Sequence, residues 1–134
     1  MKVVTTLLVA SLVAAAGCDS DTNEPDITST VETFASRLQE NGSAWRSVNV
    51  TKAGDVTMQL VSLTQTDAKM NLGIGTISGT QCVIAASVDT VANGTEVAPQ
   101  LTRTLSTGTY CVRIADIGNL TQLVEFSIRI EKPF

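Results

Sequence analysis

The sequence contains no histidine. Without imidazole, neither a Ser-His nor a Cys-His catalytic pair can be assembled, and metal sites built on imidazole are excluded. Two carboxylates could still hydrolyse a sugar if they faced each other across a cleft, but no local pattern indicates such a pair. Catalysis is therefore the least favoured class of function for this chain.

Basic residues are also scarce. Nine Lys and Arg stand against thirteen Asp and Glu, which gives a formal net charge of −4. Proteins that bind nucleic acid present a basic surface that displaces counterions from the phosphates. We therefore expect no nucleic-acid partner.

Large aromatic residues with a polar tip are limited to one tryptophan and one tyrosine. Sandwich domains that bind sugars usually present several such residues in a row. Tyr110 alternates in phase with apolar neighbours that are expected to face the core. The pattern favours Trp45 as an anchor in the core or at a sheet edge over a platform for a sugar ring.

The N-terminus has the layout of a secretory signal, with Lys2, an uncharged apolar stretch and then small residues. The stretch covers residues 3–17 and is shorter than the roughly 20 residues of a membrane-spanning helix. It ends in Ala15-Ala16-Gly17-Cys18, which resembles the lipobox of bacterial lipoproteins. The resemblance implies that residues 1–17 are removed and that Cys18 becomes an acylated N-terminus. The alternative is an ordinary signal peptide whose cleavage leaves Cys18 as a free thiol.

Lipidation would decide where the protein lies. A single acyl chain holds a protein on a membrane only marginally, and the several chains of a mature lipoprotein hold it stably. The expected location is the bacterial cell envelope, anchored by lipid and facing the periplasm or the exterior. The membrane is then one partner, and an envelope protein or a polysaccharide is the other.

Three cysteines are present, Cys18, Cys82 and Cys111, and an odd number in an exported protein leaves one unpaired. Lipidation of Cys18 removes the odd one and leaves Cys82 and Cys111 to form a disulfide. By strand parity Cys111 shares a face with Arg113, opposite Tyr110, which puts the bridge on an outer face or at an edge. A reactive thiol is the alternative, but no basic cluster lies nearby in the sequence to lower its pKa.

Residues 18–30 are acidic and contain one large apolar residue, Ile27, so they are predicted to be a flexible tether after the acylated cysteine. The remainder, residues 31–134, is predicted to be one domain of short strands separated by turns. Residues 124–130 alternate between apolar and polar side chains, as expected of a strand with one buried face. Residues 31–39 also show helical spacing, but a strand is favoured there. The alternating strand as a whole covers 123–132, and the other predicted strands cover 44–50, 56–64, 70–77, 82–88, 96–105 and 109–115. About eight strands without crossover helices indicate an all-β antiparallel sandwich.

Two other patterns suggest ligands and have simpler explanations. Residues 73–79 are rich in glycine, but the third glycine of a dinucleotide motif is replaced by Ser78, and a bulge or close packing within a strand is favoured. Weak calcium candidates are Asp89 with Asn93 and Asp116 with Asn119, because calcium binds carboxylate and amide oxygens. The favoured interpretation is that these side chains cap turns. No other metal or cofactor is expected.

Four stretches resemble a known family: residues 54–63, 71–76, 82–85 and 110–121. They are similar to segments of small bacterial lipoproteins, which in turn resemble the bacterial pre-peptidase C-terminal domain. The similarity covers about residues 30–132 and implies a jelly-roll-like sandwich. Members of that family accompany secreted proteases, and some bind calcium, collagen or polysaccharide.

The sequence therefore predicts a lipid-anchored, non-catalytic envelope protein that acts as a structural or protein-interaction module. The alternative is a module that binds a polysaccharide or another extracellular polymer, with calcium as a candidate cofactor.

Overall fold

The computed structural model describes Gly17 and residues 28–134 of the chain. The predicted signal peptide, Cys18 and most of the predicted tether lie outside the described residues. Within the described part, no helix is long and apolar enough to cross a membrane.

Residues 28–134 form an all-β fold, as the turn signals and alternating patterns predict. The prediction of a strand over residues 31–39 is confirmed, and Ser29 and Thr30, expected in the tether, belong to that strand. The eight strands are β1 (Ser29–Leu38), β2 (Ser43–Val50), β3 (Gly54–Leu63), β4 (Met70–Ser78), β5 (Gln81–Thr90), β6 (Leu101–Leu105), β7 (Gly108–Asp116) and β8 (Val124–Pro133).

The strands form two antiparallel sheets of four. Sheet A has the order β1-β8-β3-β6, and sheet B has the order β2-β7-β4-β5. Consecutive strands lie in opposite sheets except for the β4–β5 hairpin, and this interleaved order is a jelly roll. The predicted antiparallel sandwich is confirmed.

The core lies between the sheets and is built from the alternating apolar positions. On β8, Val124, Phe126, Ile128 and Ile130 are buried, and the ring of Phe126 meets Phe34 edge to face at 5.1 Å between centroids. Sheet B contributes Met70, Leu72, Ile74, Val112 and Ile114 from its two central strands. Gln59 is the buried polar residue among the described positions. The interior is thus apolar, and side chains of opposite parity face outward from each sheet.

One predicted strand is too long. Residues 96–105 were expected to be extended, but β6 begins at Leu101. The amide of Gln59 donates to the carbonyl oxygen of Val97 (2.8 Å) and to Asn93 (3.1 Å), and Gln100 accepts from the backbone N–H of Leu60 at 2.6 Å. These hydrogen bonds hold residues 93–100 as a loop beside β3, where the register with β8 shifts between Leu60 and Ser62. The loop takes the place of the predicted strand at residues 96–100.

Two dipeptides typical of hairpin turns have a different role here. Asn41-Gly42 connects β1 to β2, and Asn93-Gly94 lies between β5 and β6. In both cases the connected strands belong to different sheets, so the chain crosses from one layer to the other. Asn41 has a φ of 56°, a conformation that asparagine tolerates better than most residues.

Candidate functional site

The predicted disulfide is present: Cys82 and Cys111 are bonded, with their Cα atoms 5.8 Å apart. Cys82 lies at the start of β5 and Cys111 on β7, and β4 runs between these strands in sheet B. Both residues are buried although they lie on the outer face of the sheet, as strand parity predicts for Cys111. The bridge therefore covers the outer surface of sheet B and takes no part in the core cluster.

Gly75 makes this crossing possible. It pairs with Cys111 on one side and with Ile84 on the other, and the register between β4 and β5 shifts between Ile74 and Gly75. A Cβ at Gly75 would lie 1.8 Å from the carbonyl oxygen of Val83. The absent side chain lets the β4–β5 hairpin fold back so that Cys82 reaches Cys111. The glycine-rich segment is thus a bulged strand, as its sequence favoured.

Asp116, a calcium candidate, organises the loop that follows β7. One carboxylate oxygen accepts hydrogen bonds from the backbone N–H groups of Gly118 (2.9 Å), Asn119 (2.9 Å) and Leu120 (3.2 Å), and the other accepts from Asn41 at 2.7 Å. Burial raises the pKa of Asp116, but these four N–H groups together hold the pKa below its ordinary value of 3.8. The carboxylate faces N–H donors, an arrangement that stabilises a negative charge without a metal.

The other calcium candidates have partners of their own. Asn119 donates to the carbonyl oxygen of Lys69 at 2.8 Å, Asp89 accepts from the amide of Asn71 at 2.8 Å, and Asn93 accepts from Gln59. Asp89 and Asn93 are not hydrogen-bonded to each other. Among residues 28–134, no group of three or more His, Cys, Asp or Glu is arranged to hold a metal ion. These side chains act as turn and strand anchors in the structure.

Replacing Asp116 with alanine is expected to lower the free energy of unfolding at neutral pH by about 1–2 kcal/mol, because four backbone donors lose a charged acceptor. In the wild type this contribution to stability is complete at pH values above the ordinary pKa of 3.8, and it is lost as the pH falls through the lower pKa of the folded state. Urea unfolding from pH 7 to pH 2.5 measures it. The alanine variant should lose less stability than the wild type over the acidic part of that range. Equal pH dependence of the unfolding free energy in the wild type and in Asp116→Ala would contradict this role. Asp89→Ala serves as the control and should keep the pH dependence of the wild type.

Glu131 has a structural role on the outer face of sheet A. Hydrogen bonds from the Ser29 hydroxyl (2.8 Å) and from Arg129 (2.7 Å) hold the pKa of Glu131 below its ordinary value of 4.5. These contacts join β1 to β8 at the start of the domain. The lowered pKa values of Asp116 and Glu131 are therefore explained by hydrogen bonds that anchor a loop and a strand.

The outer face of sheet A carries an open groove of about 530 Å³ across β1, β8 and β3. Its lining includes the small side chains of Ala35 and Ser62 and the ion pair between Arg37 and Glu125, whose atoms approach to 3.1 Å. Both charged side chains are largely exposed and satisfy each other. The groove thus offers a shallow surface without an unpaired charge.

The outer face of sheet B is different. Its ladder places Trp45, Arg113, Gly73 and Ser87 side by side on four neighbouring strands, and we call these four residues the Trp45 face. Trp45 is 37% exposed, and β2 is an edge strand, so the prediction of an edge position is met. Ile84 covers Gly73, since its Cδ1 lies 3.1 Å from where a Cβ on Gly73 would stand. The Trp45 face therefore combines an aromatic ring, a guanidinium and an apolar wall.

Sequence reasoning placed Arg113 on an outer face with Cys111 but did not identify it as a candidate for binding. Trp45 and Arg113 are far apart in the sequence and become neighbours through the pairing of β2 with β7. The alternation along β7 predicts that the side chain of Arg113 faces outward. That Trp45 lies beside it depends on the pairing of β2 with β7, which no local pattern shows.

No family model matches the chain, and no curated protein is significantly similar to it. Among solved structures, the chain is similar to the crystal structure of the Yersinia pseudotuberculosis-derived mitogen. The sequence identity is 14%, the TM-score is 0.48, and the match covers 76% of this chain and 83% of that one. A similarity at this level carries no argument about function.

Proposed function

We propose that the protein is a lipid-anchored, non-catalytic module of the bacterial cell envelope that presents its sandwich for interaction with another molecule. The anchor is the acylated Cys18, and residues 19–28 connect it to β1. A fully extended stretch of this length spans at most about 35 Å, so the domain stays near the membrane surface. In this proposal the domain faces the periplasm or the exterior.

The observation that supports a structural or interaction module is the apolar interior, which makes the sandwich a stable scaffold. Apolar side chains fill the space between the sheets. Gln59, the polar residue that is buried as a whole among the described residues, is hydrogen-bonded through its amide to the loop beside β3. Functional chemistry is consequently left to the outer faces and the loops. The hydrogen-bonded Asp116 and Glu131 are already engaged in holding the fold.

The anchor is tested by replacing Cys18 with alanine. The wild type should sediment with membranes and partition into a detergent phase, because buried acyl CH₂ groups contribute about 0.8 kcal/mol each. The alanine variant should lose the acyl chains and the detergent partitioning. The double variant Cys82→Ala/Cys111→Ala is the matched control and should remain with the membrane. Release of the wild type without detergent would refute the proposal.

A second candidate function, binding of an extracellular polysaccharide, is favoured by one observation. The Trp45 face places an exposed aromatic ring beside a guanidinium that has no carboxylate partner in residues 28–134.

A further inference from the structure

The pairing of the strands shows at which end of the sandwich the chain enters the domain. β1 begins at Ser29, which pairs with Pro133 at the end of β8. The N–H of Phe134 donates to the carbonyl oxygen of Thr28 at 3.2 Å. Pro133 also lies against the start of β3, since a Cβ on Gly54 would stand 2.7 Å from its Cγ. The predicted tether therefore meets the domain where β8 ends and β3 begins.

Three short loops complete this end of the sandwich. Two of them cross between the sheets and one closes the β4–β5 hairpin, and they cover residues 51–53, 106–107 and 79–80. We call these loops, together with Phe134, the tether end. The opposite ends of the strands are joined by three other loops, which we call the distal end and which cover residues 39–42, 64–69 and 117–123.

The two ends differ in charge. The loops of the tether end contain one charged residue, Lys52, and no carboxylate, and their other residues are small or carry hydroxyl groups. All of them are exposed. The loops of the distal end contain Glu40 and Asp67 beside Lys69. An anionic surface is therefore repelled by the distal end and not by the tether end.

Phe134 adds an apolar side chain to the tether end, and it is 66% exposed. Surfaces that lie on a bilayer combine apolar side chains, which enter the boundary between headgroups and acyl chains, with lysines that meet the lipid phosphates. The carboxylates on the strands near this end are engaged within the fold: Asp55 with Thr104, Glu131 with Ser29 and Arg129, and Glu32 with Lys132. The chemistry of the tether end thus suits a phospholipid surface.

The length of the tether keeps this end close to the bilayer. A flexible chain as long as residues 19–28 has a root-mean-square length of about 15–20 Å. A linker that short gives an effective concentration in the millimolar range, so even a weak contact is occupied for much of the time. The tether carries four carboxylates, which an anionic leaflet repels, so the attraction has to come from the domain.

We propose that the tether end rests on the phospholipid headgroups of the membrane that holds the anchor. The ammonium group of Lys52 lies against lipid phosphates, and the ring of Phe134 enters the boundary below them. This inference rests on the proposed function and specifies how the anchored domain is oriented. The distal end then points away from the membrane and is the end that a partner reaches first.

Two tryptophan probes at opposite ends of β8 test the orientation. Phe134→Trp and Leu123→Trp, each combined with Trp45→Phe, place the single indole directly after or directly before β8. Both positions are exposed and apolar, and the strand separates them by about 33 Å. The lipidated proteins are reconstituted into vesicles of phosphatidylethanolamine and phosphatidylglycerol that contain a lipid with a nitroxide on its headgroup. We expect this short-range quencher to remove most of the fluorescence of the Phe134→Trp protein and little of that of the Leu123→Trp protein.

Substitution of Lys52 tests the charged contact. Added to the Phe134→Trp protein, Lys52→Gln should lower the ratio of docked to undocked domain about fivefold, the effect expected of one lysine beside an anionic leaflet. The ratio is obtained from the extent of quenching. Lys69→Gln removes the same charge from the distal end and should leave the ratio unchanged, which makes it the matched control.

Sedimentation of the vesicles reports on the anchor separately. In protein that sediments with the vesicles, equal quenching of the two probes, stronger quenching at position 123 or no quenching at position 134 would overturn the inference and leave the anchor standing. Equal effects of the Lys52 and Lys69 substitutions would also overturn it. Wild-type protein that leaves the vesicles without detergent would reject the proposed anchor, and the orientation would be rejected with it.

Discussion

Replacing Gly75 with alanine is expected to lower the free energy of unfolding by about 3 kcal/mol or more. The new Cβ would lie 1.8 Å from the carbonyl oxygen of Val83 and 2.6 Å from its carbonyl carbon, and both atoms belong to the backbone. No side-chain rotation can relieve that overlap, so the β4–β5 hairpin has to move. Because the hairpin carries Cys82, the movement also disturbs the bridge to Cys111.

Urea unfolding of the two proteins measures this effect, and Gly79→Ala is the matched control. Gly79 lies at the tip of the same hairpin with a φ of +60°, and a Cβ there would meet nothing within 4 Å. Its replacement should cost only about 1 kcal/mol, the ordinary cost of a left-handed conformation for alanine. Equal losses in the free energy of unfolding for the two variants would show that the close approach of the Val83 backbone is not what makes a side chain costly at Gly75.

Replacing both Cys82 and Cys111 with alanine is expected to cost about 3–4 kcal/mol. The bond closes a loop between positions 29 residues apart, and a loop of this length restricts the unfolded chain by that amount in the chain-entropy description. For a domain of this size such a loss lowers Tm by about 10 °C or more.

Thermal unfolding of the wild type with and without reductant, beside the double variant, measures the contribution. The reduced wild type and the double variant should unfold at similar temperatures, both well below the oxidised wild type. Cys18→Ala should not change the transition, since that residue takes no part in the bridge. A reduced protein as stable as the oxidised one would show that packing alone fixes the hairpin.

Local patterns in the sequence predicted most of the fold. The alternation around Phe126 and Ile128 identified a half-buried strand, because side chains on a strand face opposite sides in turn. The glycines at 73 and 75 indicated a bulge, since β-carbons are excluded where two backbones approach closely. The disulfide followed from the number of cysteines and their expected compartment.

Features that depend on distant pairing could not be predicted. The predicted strand includes residues 96–100, although Pro99 among them cannot donate to a ladder. In the structure Gln59 donates to the carbonyl oxygen of Val97, and Gln100 accepts from the backbone N–H of Leu60 on β3, so that side-chain contacts take the place of ladder pairing. The dipeptide Asn41-Gly42 is typical of a turn, but nothing in it reveals that the turn joins two sheets. Likewise, Trp45 and Arg113 become neighbours only when β2 pairs with β7, and no local signal records that register.

The central claim is that a sandwich closed by one disulfide is held at the membrane by lipid on Cys18. The intact mass of the mature protein from membranes, measured before and after reduction and followed by fragmentation, tests it most directly. We predict that residues 1–17 are absent, that the N-terminal peptide beginning at Cys18 carries the added mass of acyl chains, and that reduction adds one hydrogen to each of Cys82 and Cys111. A mature chain whose Cys18 is an unmodified thiol, or is bonded to another cysteine, would contradict the account.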